Sequence, residues 1–277
     1  MIPSELLSIL LISTIASLGT GLGGLLVVIR KPGKRSFGFL MGMTAGVMIS
    51  LAFLELVNEA WQLSGWWTAT VGFALGAISI FLLDFYIPHI RFGETETHTE
   101  KLLAVVESQP HHGRWGFGHK RHNPKIVDRK LFRSGMMLAI GITIHNLPEG
   151  FAIGAGYMHQ PQFGVFIAMA IMLHNIPEGM ATALPLYESG LSKWRSFRVA
   201  LLSGLVEPLG ALLAAIFLSL FEPLIPFSLA FAGGVMMFIT LDELIPMARE
   251  HGHEHYTAIG IISGSIFIFI LSGLFGV

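Results

Sequence analysis

The sequence of 277 residues has no cysteine, which excludes disulfides and thiolate metal sites. It is also short of charge. Aspartate, glutamate, lysine and arginine make up 13% of it, where a soluble domain carries about 25%. Hydrophobic residues make up 53% and mean hydropathy is +0.67, which places the chain among membrane proteins before any motif is read. A net charge of −1 offers no global attraction to nucleic acid. The opening run, MIPSELLSILLIS, has no basic residue ahead of it, so it reads as a first membrane span rather than a cleaved signal peptide.

Long apolar runs fill the rest. A helix needs about 20 apolar residues to cross the hydrocarbon core. Eight segments meet that length, at roughly 5–29, 37–60, 66–88, 132–157, 162–186, 197–221, 226–247 and 257–276. Between the third and fourth lies a polar stretch, 91–130, with Arg91, Glu94, Glu96, Lys101, Glu107, Arg114, Lys120, Arg121 and Lys125, and with five scattered histidines, His98, His111, His112, His119 and His122. Orientation follows from the basic residues: in an eight-span arrangement all 17 lysines and arginines fall on one side. The expectation is an all-α polytopic protein of the cell (inner or plasma) membrane. It forms one transmembrane domain over 1–277, with the polar loop at about 91–130 in the cytoplasm and both termini outside it.

A short internal echo fits this layout. Gly46-Val47-Met48 precedes Glu55 in the second segment, and Gly234-Val235-Met236 precedes Glu243 in the seventh, so Met48 aligns with Met236 and Glu55 with Glu243. The two segments run in opposite directions, as inverted-topology repeats do in transporters.

A stronger repeat lies between them. The fourth segment reads His145-Asn146-Leu147-Pro148-Glu149-Gly150, and the fifth reads His174-Asn175-Ile176-Pro177-Glu178-Gly179. At about 100° per residue, Asn146 stands about 100° from His145, and Glu149 projects at about 40°, between the two. Each glutamate can therefore share a cation with the histidine on one side and another with the asparagine on the other. Two such helices face to face would hold two cations bridged by carboxylates. Each proline removes an amide donor and crowds the carbonyl four residues back, at Ile144 and Leu173. Each glycine allows close helix approach. Glu207 sits near the middle of the sixth segment. A charge at that depth costs about 2.5–3.5 kcal/mol on insertion scales, and divalent cations would offset it.

These motifs, together with Ser203-Gly204-Leu205-Val206-Glu207 and Asp242-Glu243-Leu244-Ile245-Pro246, resemble the ZIP (Zrt/Irt-like protein) metal transporter family, and most closely its bacterial ZupT branch. The resemblance runs from about Ile29 to about Arg249. It implies a binuclear site: His145, Glu149, His174 and Glu178, with Met48 added from the second helix, for one metal, and Asn146, Asn175 and Glu207 with the same bridging glutamates for the other. It also implies uptake toward the cytosol, eight helices in a 3+2+3 inverted-repeat arrangement, elevator-like motion, and a homodimer. Glu55 departs from the pattern, since many members carry histidine there.

Plainer readings stand beside these. The two motifs and Glu207 would also suit a buried polar network that fixes helix packing, and Met48 would suit a core gap. Glu55 and Glu243 are pathway carboxylates or interfacial ones. His251, His253 and His255 receive metal or form a solvated loop, as do the five loop histidines. His89 and His159 read as structural, and Asp84 as a packing or interface residue. The functional expectation is a secondary transporter for divalent transition metals, zinc first, with Fe²⁺, Mn²⁺, Co²⁺ and Cd²⁺ also suited to imidazole, carboxylate and amide oxygen. No catalytic residue, cofactor-binding motif or nucleic-acid partner is expected; the partners are metal ions and the lipid bilayer. The alternatives are an intramembrane metal-dependent hydrolase, which lacks the HExxH order and a distinct base, and a passive metal-selective channel.

Overall fold

A computed structural model describes residues 3–86 and 128–277. The polar stretch with its five histidines, and His89, lie outside the described residues, as do the side chains of Asp84 and His251. Helices form nearly all that is described. The first, α1 (Pro3–Ile29), ends at Arg30-Lys31-Pro32-Gly33, where proline and glycine stop a helix. Next, α2 (Lys34–Ser50) passes through a π-helical segment, Leu51–Val57, into α3 (Asn58–Tyr86). Drawn straight, residues 34–83 would extend about 75 Å, more than twice the ~30 Å hydrocarbon core. They do not stay straight. Gly65 adopts φ 81° and ψ 167°, a conformation open to a residue without Cβ, and kinks the helix there.

Beyond the undescribed stretch come α4 (Arg129–His159) and α5 (Pro161–Glu188), joined by Gln160 alone. Both run unbroken through Pro148 and Pro177. The sequence suggests one span over 197–221, and Lys193–Leu220 is long and apolar enough to be one, with a turn inside it. Here α6 (Lys193–Gly204) ends, Leu205 and Val206 form the turn, and α7 (Glu207–Leu220) begins with Pro208 in its first turn, where a missing amide costs nothing. A 3₁₀ turn, Glu222–Leu224, leads to α8 (Ile225–Ile239), a second π-helical segment (Thr240–Leu244), α9 (Ile245–His251) and α10 (Glu254–Phe275). Among the described residues, 7 helices are long and apolar enough to cross a membrane, with 34–83 taken as one. Their outward faces carry exposed Leu213 and Leu220 on α7 and Ile262, Phe269 and Leu274 on α10, as surfaces against acyl chains do.

The helices pack as two sets. In one, α1 lies against α5, α6 and α7, and α4 lies against α5 and α7. In the other, α2 lies against α10 and α3 against α8. Contacts of α4 with α8 and of α2 with α5 join the sets. Each set is drawn tight by glycine. A Cβ at Gly23 would fall 1.8 Å from the Ile176 carbonyl oxygen, and one at Gly150 would fall 2.0 Å from that of Glu207. The second set repeats itself with partners exchanged. Gly46 on α2 meets Ile261 on α10, while Gly234 on α8 meets Phe73 on α3. In the same way Gly264 meets Met43 and Gly76 meets Phe231, and Gly260 meets Phe39 and Gly72 meets Phe227. One constant offset, the one that separates Met48 from Met236, relates the members of every pair. The second π-helical segment, Thr240–Leu244, falls inside the image of the first, Leu51–Val57, under the same offset.

Candidate metal centre

The two HNxPEG segments face each other in the first set of helices, and α7 delivers Glu207 beside them. His145, Asn146, Glu149, His174, Asn175, Glu178 and Glu207 are all buried. His145 Nε2 lies 2.7 Å from Glu149 Oε1 and 3.2 Å from Glu178 Oε1. His174 Nε2 lies 2.9 Å from the same Glu149 oxygen, so that oxygen joins both histidines across the helix pair. His145, Glu149 and Glu178 each offer a ligand atom within 4.8 Å of the others. Around a tetrahedral zinc, nitrogen and oxygen ligands at 2.0–2.2 Å stand about 3.4 Å apart. A spread of up to about 0.7 Å would bring these contacts to that separation.

The asparagines are turned by the backbone around them. Asn146 Nδ2 donates to the Ser203 carbonyl, 2.9 Å away, at the C-terminal end of α6. Asn175 Nδ2 donates to the Ala16 carbonyl of α1 at 3.2 Å and also to Glu207 Oε1. With both amide nitrogens engaged, Asn146 Oδ1 and Asn175 Oδ1 are left as acceptors with no protein donor. They are not alone. Of 9 buried side-chain polar atoms that make no well-directed hydrogen bond among the described residues, 8 belong to this cluster, and two of those, His145 Nε2 and Glu178 Oε1, are in ion-pair contact with each other. Five others, the two amide oxygens with Glu149 Oε2, Glu178 Oε2 and Glu207 Oε2, are acceptors that face no donor, the carboxylate ones when ionised. A packing network would pair its acceptors with donors, because an unpaired one costs about 1–3 kcal/mol. Acceptors gathered without donors suit a cation.

The break in the sixth span helps to assemble this. Gly150 touches the Glu207 backbone and Gly210 touches the Leu147 carbonyl, so α4 and α7 meet backbone to backbone beside the glutamates. On the α5 side, Thr44 of α2 gives a hydrogen bond to the His174 carbonyl at 3.3 Å, next to the one that Pro177 deprives of its amide. Met48 is fully buried on α2, one turn beyond Thr44, in the large apolar core that also holds Leu51, Ala52, Ile171 and Met236. Glu55 is buried within the first π-helical segment. Glu243, in the second, shares with His145 a cleft lined by Ile80, Leu83, Gly141, Ile144 and Ile239. His159 ends α4 and pairs with Glu59 of α3 at 2.8 Å, a link between the two helix sets that spacing alone did not suggest. The carbonyls of Ser203 and Ala16 were equally hidden, since backbone acceptors carry no residue signal.

Comparison with known proteins agrees with this architecture. A family profile described as ZIP Zinc transporter matches residues 4–272. The chain is 34% identical over 279 residues to zinc transporter ZupT of Akkermansia muciniphila, covering 96% of this chain and 97% of that one. It is 35% identical over 265 residues to zinc transporter ZupT of Oceanobacillus iheyensis, covering 92% of each. It is also 35% identical over 264 residues to zinc transporter ZTP29 of Arabidopsis thaliana, covering 94% of this chain and 92% of that one. Family, helical architecture and buried polar cluster agree: the chain belongs to the ZIP zinc transporter family.

Proposed function

We propose that this chain is a secondary transporter that carries zinc, and with it Fe²⁺, Mn²⁺, Co²⁺ or Cd²⁺, across the cell membrane into the cytosol. The observation that carries the reading is the gathering of five donorless buried oxygens with two histidines between α4, α5 and α7. One ion would take His145, Glu149, His174 and Glu178, and a second would take Asn146, Asn175 and Glu207 with the same glutamates as bridges. Nitrogen and carboxylate ligands suit these metals. Each His–Glu contact is at hydrogen-bonding distance, so a proton and a metal compete for the same lone pairs.

In this reading the chain crosses the membrane eight times, because the kink at Gly65 turns 34–83 into two spans, and both termini lie outside the cytoplasm. The partner-exchanged glycine contacts of α2, α3, α8 and α10 support a 3+2+3 inverted repeat. The proposed ligands other than Met48 lie in the set formed by α1, α4, α5, α6 and α7. The other set would then be the frame against which this one moves, and a homodimer would form through the frame. Membership of a transporter family sets aside the intramembrane hydrolase.

Reconstituted uptake over a panel of metals tests the proposal, with Glu178→Ala alongside the parent chain. Saturable zinc uptake that Glu178→Ala abolishes in a folded protein supports it. Unimpaired uptake by the variant removes its centre, and unitary currents in planar bilayers would show a channel instead.

A further inference from the structure

Helical serine and threonine hydroxyls ordinarily donate to the carbonyl three or four residues back. In α1 the rule holds for Ser8, Ser13, Thr14 and Ser17, which reach Ser4, Ile9, Leu10 and Thr14 respectively. It fails for Thr20. That side chain is 0% exposed, and its hydroxyl has no hydrogen-bond partner among the described residues. Among the described residues it is also the one such atom that belongs to none of the seven cluster residues.

The reason for the failure is local. The carbonyl four residues back is that of Ala16, and it already accepts from Asn175 Nδ2. The carbonyl three back, Ser17 O, lies against Gly204, where a Cβ would fall 2.8 Å from it. Thr20 Oγ1 lies at the same short distance from that position. The hydroxyl therefore points at the last residue of α6, where the sixth span breaks just before Glu207. On its other side, the Thr20 carbonyl is pressed against Gly179, next to Glu178. Thr20 thus touches the break that delivers Glu207 and the turn that carries Glu178. Its backbone amide shares a carbonyl with the Asn175 side chain, through the helical bond from residue 20 to residue 16. Asn175 packs beside Gly19 and bonds Ala16 O and Glu207 Oε1, and Asn175 Oδ1 and Glu207 Oε2 are themselves donorless.

We propose that Thr20 is a positioning residue of the cation site, whose hydroxyl holds a water ligand of the cargo at the Asn175–Glu207 end. A hydroxyl is one donor and two acceptors, so it can accept from a metal-bound water while that water also reaches a donorless oxygen. This places a hydrated face on the cargo at the α1 side, with the imidazoles on the opposite side. Oxygen-preferring ions such as Mn²⁺ depend on such a face more than zinc does.

The inference rests on the cation-site reading above, and the test separates the two. Thr20→Val keeps the shape and removes the hydroxyl, whereas Thr20→Ser keeps the hydroxyl. Zinc and manganese uptake are measured in proteoliposomes, zinc binding by calorimetry in detergent, and folding by thermal melting of the full chain. Thr20→Val is expected to melt no lower than the parent and to raise KM about 10-fold for zinc and further for manganese, as loss of an outer-sphere partner does. kcat should change less than KM, and Thr20→Ser should stay within about twofold of the parent. Parental KM values in Thr20→Val, or equal losses in both variants with lowered melting, overturn the role of Thr20. The separate arm is Glu207→Ala: if it too binds and carries zinc like the parent, the cation-site reading falls rather than the threonine alone.

Discussion

The chain uses related segments twice, and the two uses keep different things. In α4 and α5 the repeated residues are polar side chains, and the fold brings them to one point: histidine and glutamate from both helices lie within 3.2 Å of one another. In α2 and α8 the repeat keeps backbone features. Gly46 and Gly234 press against different helices at matching positions, and both helices pass into π-helical segments. Their methionines, Met48 and Met236, are both buried in the apolar core. Repeated chemistry marks the place where cargo would sit, and repeated glycine spacing marks the frame around it.

The largest effect should come from removing one polar member of each pair. Glu149→Ala should lower zinc uptake into proteoliposomes by at least about 100-fold, the upper end for outer-sphere partners, because its Oε1 oxygen joins both histidines. Glu55→Ala, in the π-helical segment, should lower it by less than about 10-fold. Equal losses would erase the distinction between site and frame.

The frame should break differently. A Cβ at Gly46 would fall 2.0 Å from the Ile261 carbonyl, and one at Gly234 would fall 2.0 Å from that of Phe73. Gly46→Val and Gly234→Val should therefore each cost about 3 kcal/mol, the upper range for overpacking, and should lower the melting temperature by similar amounts. Gly33→Val, where nothing lies within 4 Å, should leave melting unchanged. A large difference between the first two would mean that the offset between α2 and α8 is not a structural correspondence.

Much of this was legible in the residues. Most span limits follow from length and hydropathy, since a bilayer demands long apolar helices, but the second and third expected spans lie on one long helical run, 34–83. The facing of the two HNxPEG motifs follows from helical angle. What could not be read falls into two kinds. Kinks and breaks depend on packing: Gly65 takes its positive φ with nothing near it, whereas many other glycines stay helical and pack tightly. Backbone partners leave no mark either. The Ser203 and Ala16 carbonyls turn the asparagines, and any residue could supply a carbonyl. The turn at Leu205 and Val206 within the sixth span belongs to the first kind, since apolar residues there give no sign of it.

Two smaller effects sharpen the comparison further. Histidine ligates metal as the neutral ring and glutamate as the carboxylate, so protons displace cargo and uptake should fall several-fold between pH 7.5 and pH 5.5. Flux measured at fixed free zinc checks this, and equal rates would contradict it. The smallest effect should be that of Met48→Leu. The resemblance offers Met48 as a ligand, and the structure buries it in the same apolar core as Leu51, Ala52 and Met236, where a side chain of similar volume replaces a plain core methionine at little cost. Zinc uptake by the variant should stay within about twofold of the parent. Cadmium is the stricter probe, because a thioether favours soft ions. If Met48→Leu impairs cadmium at least fivefold more than zinc, the methionine faces cargo during transport, and α2 is part of the site as well as of the frame.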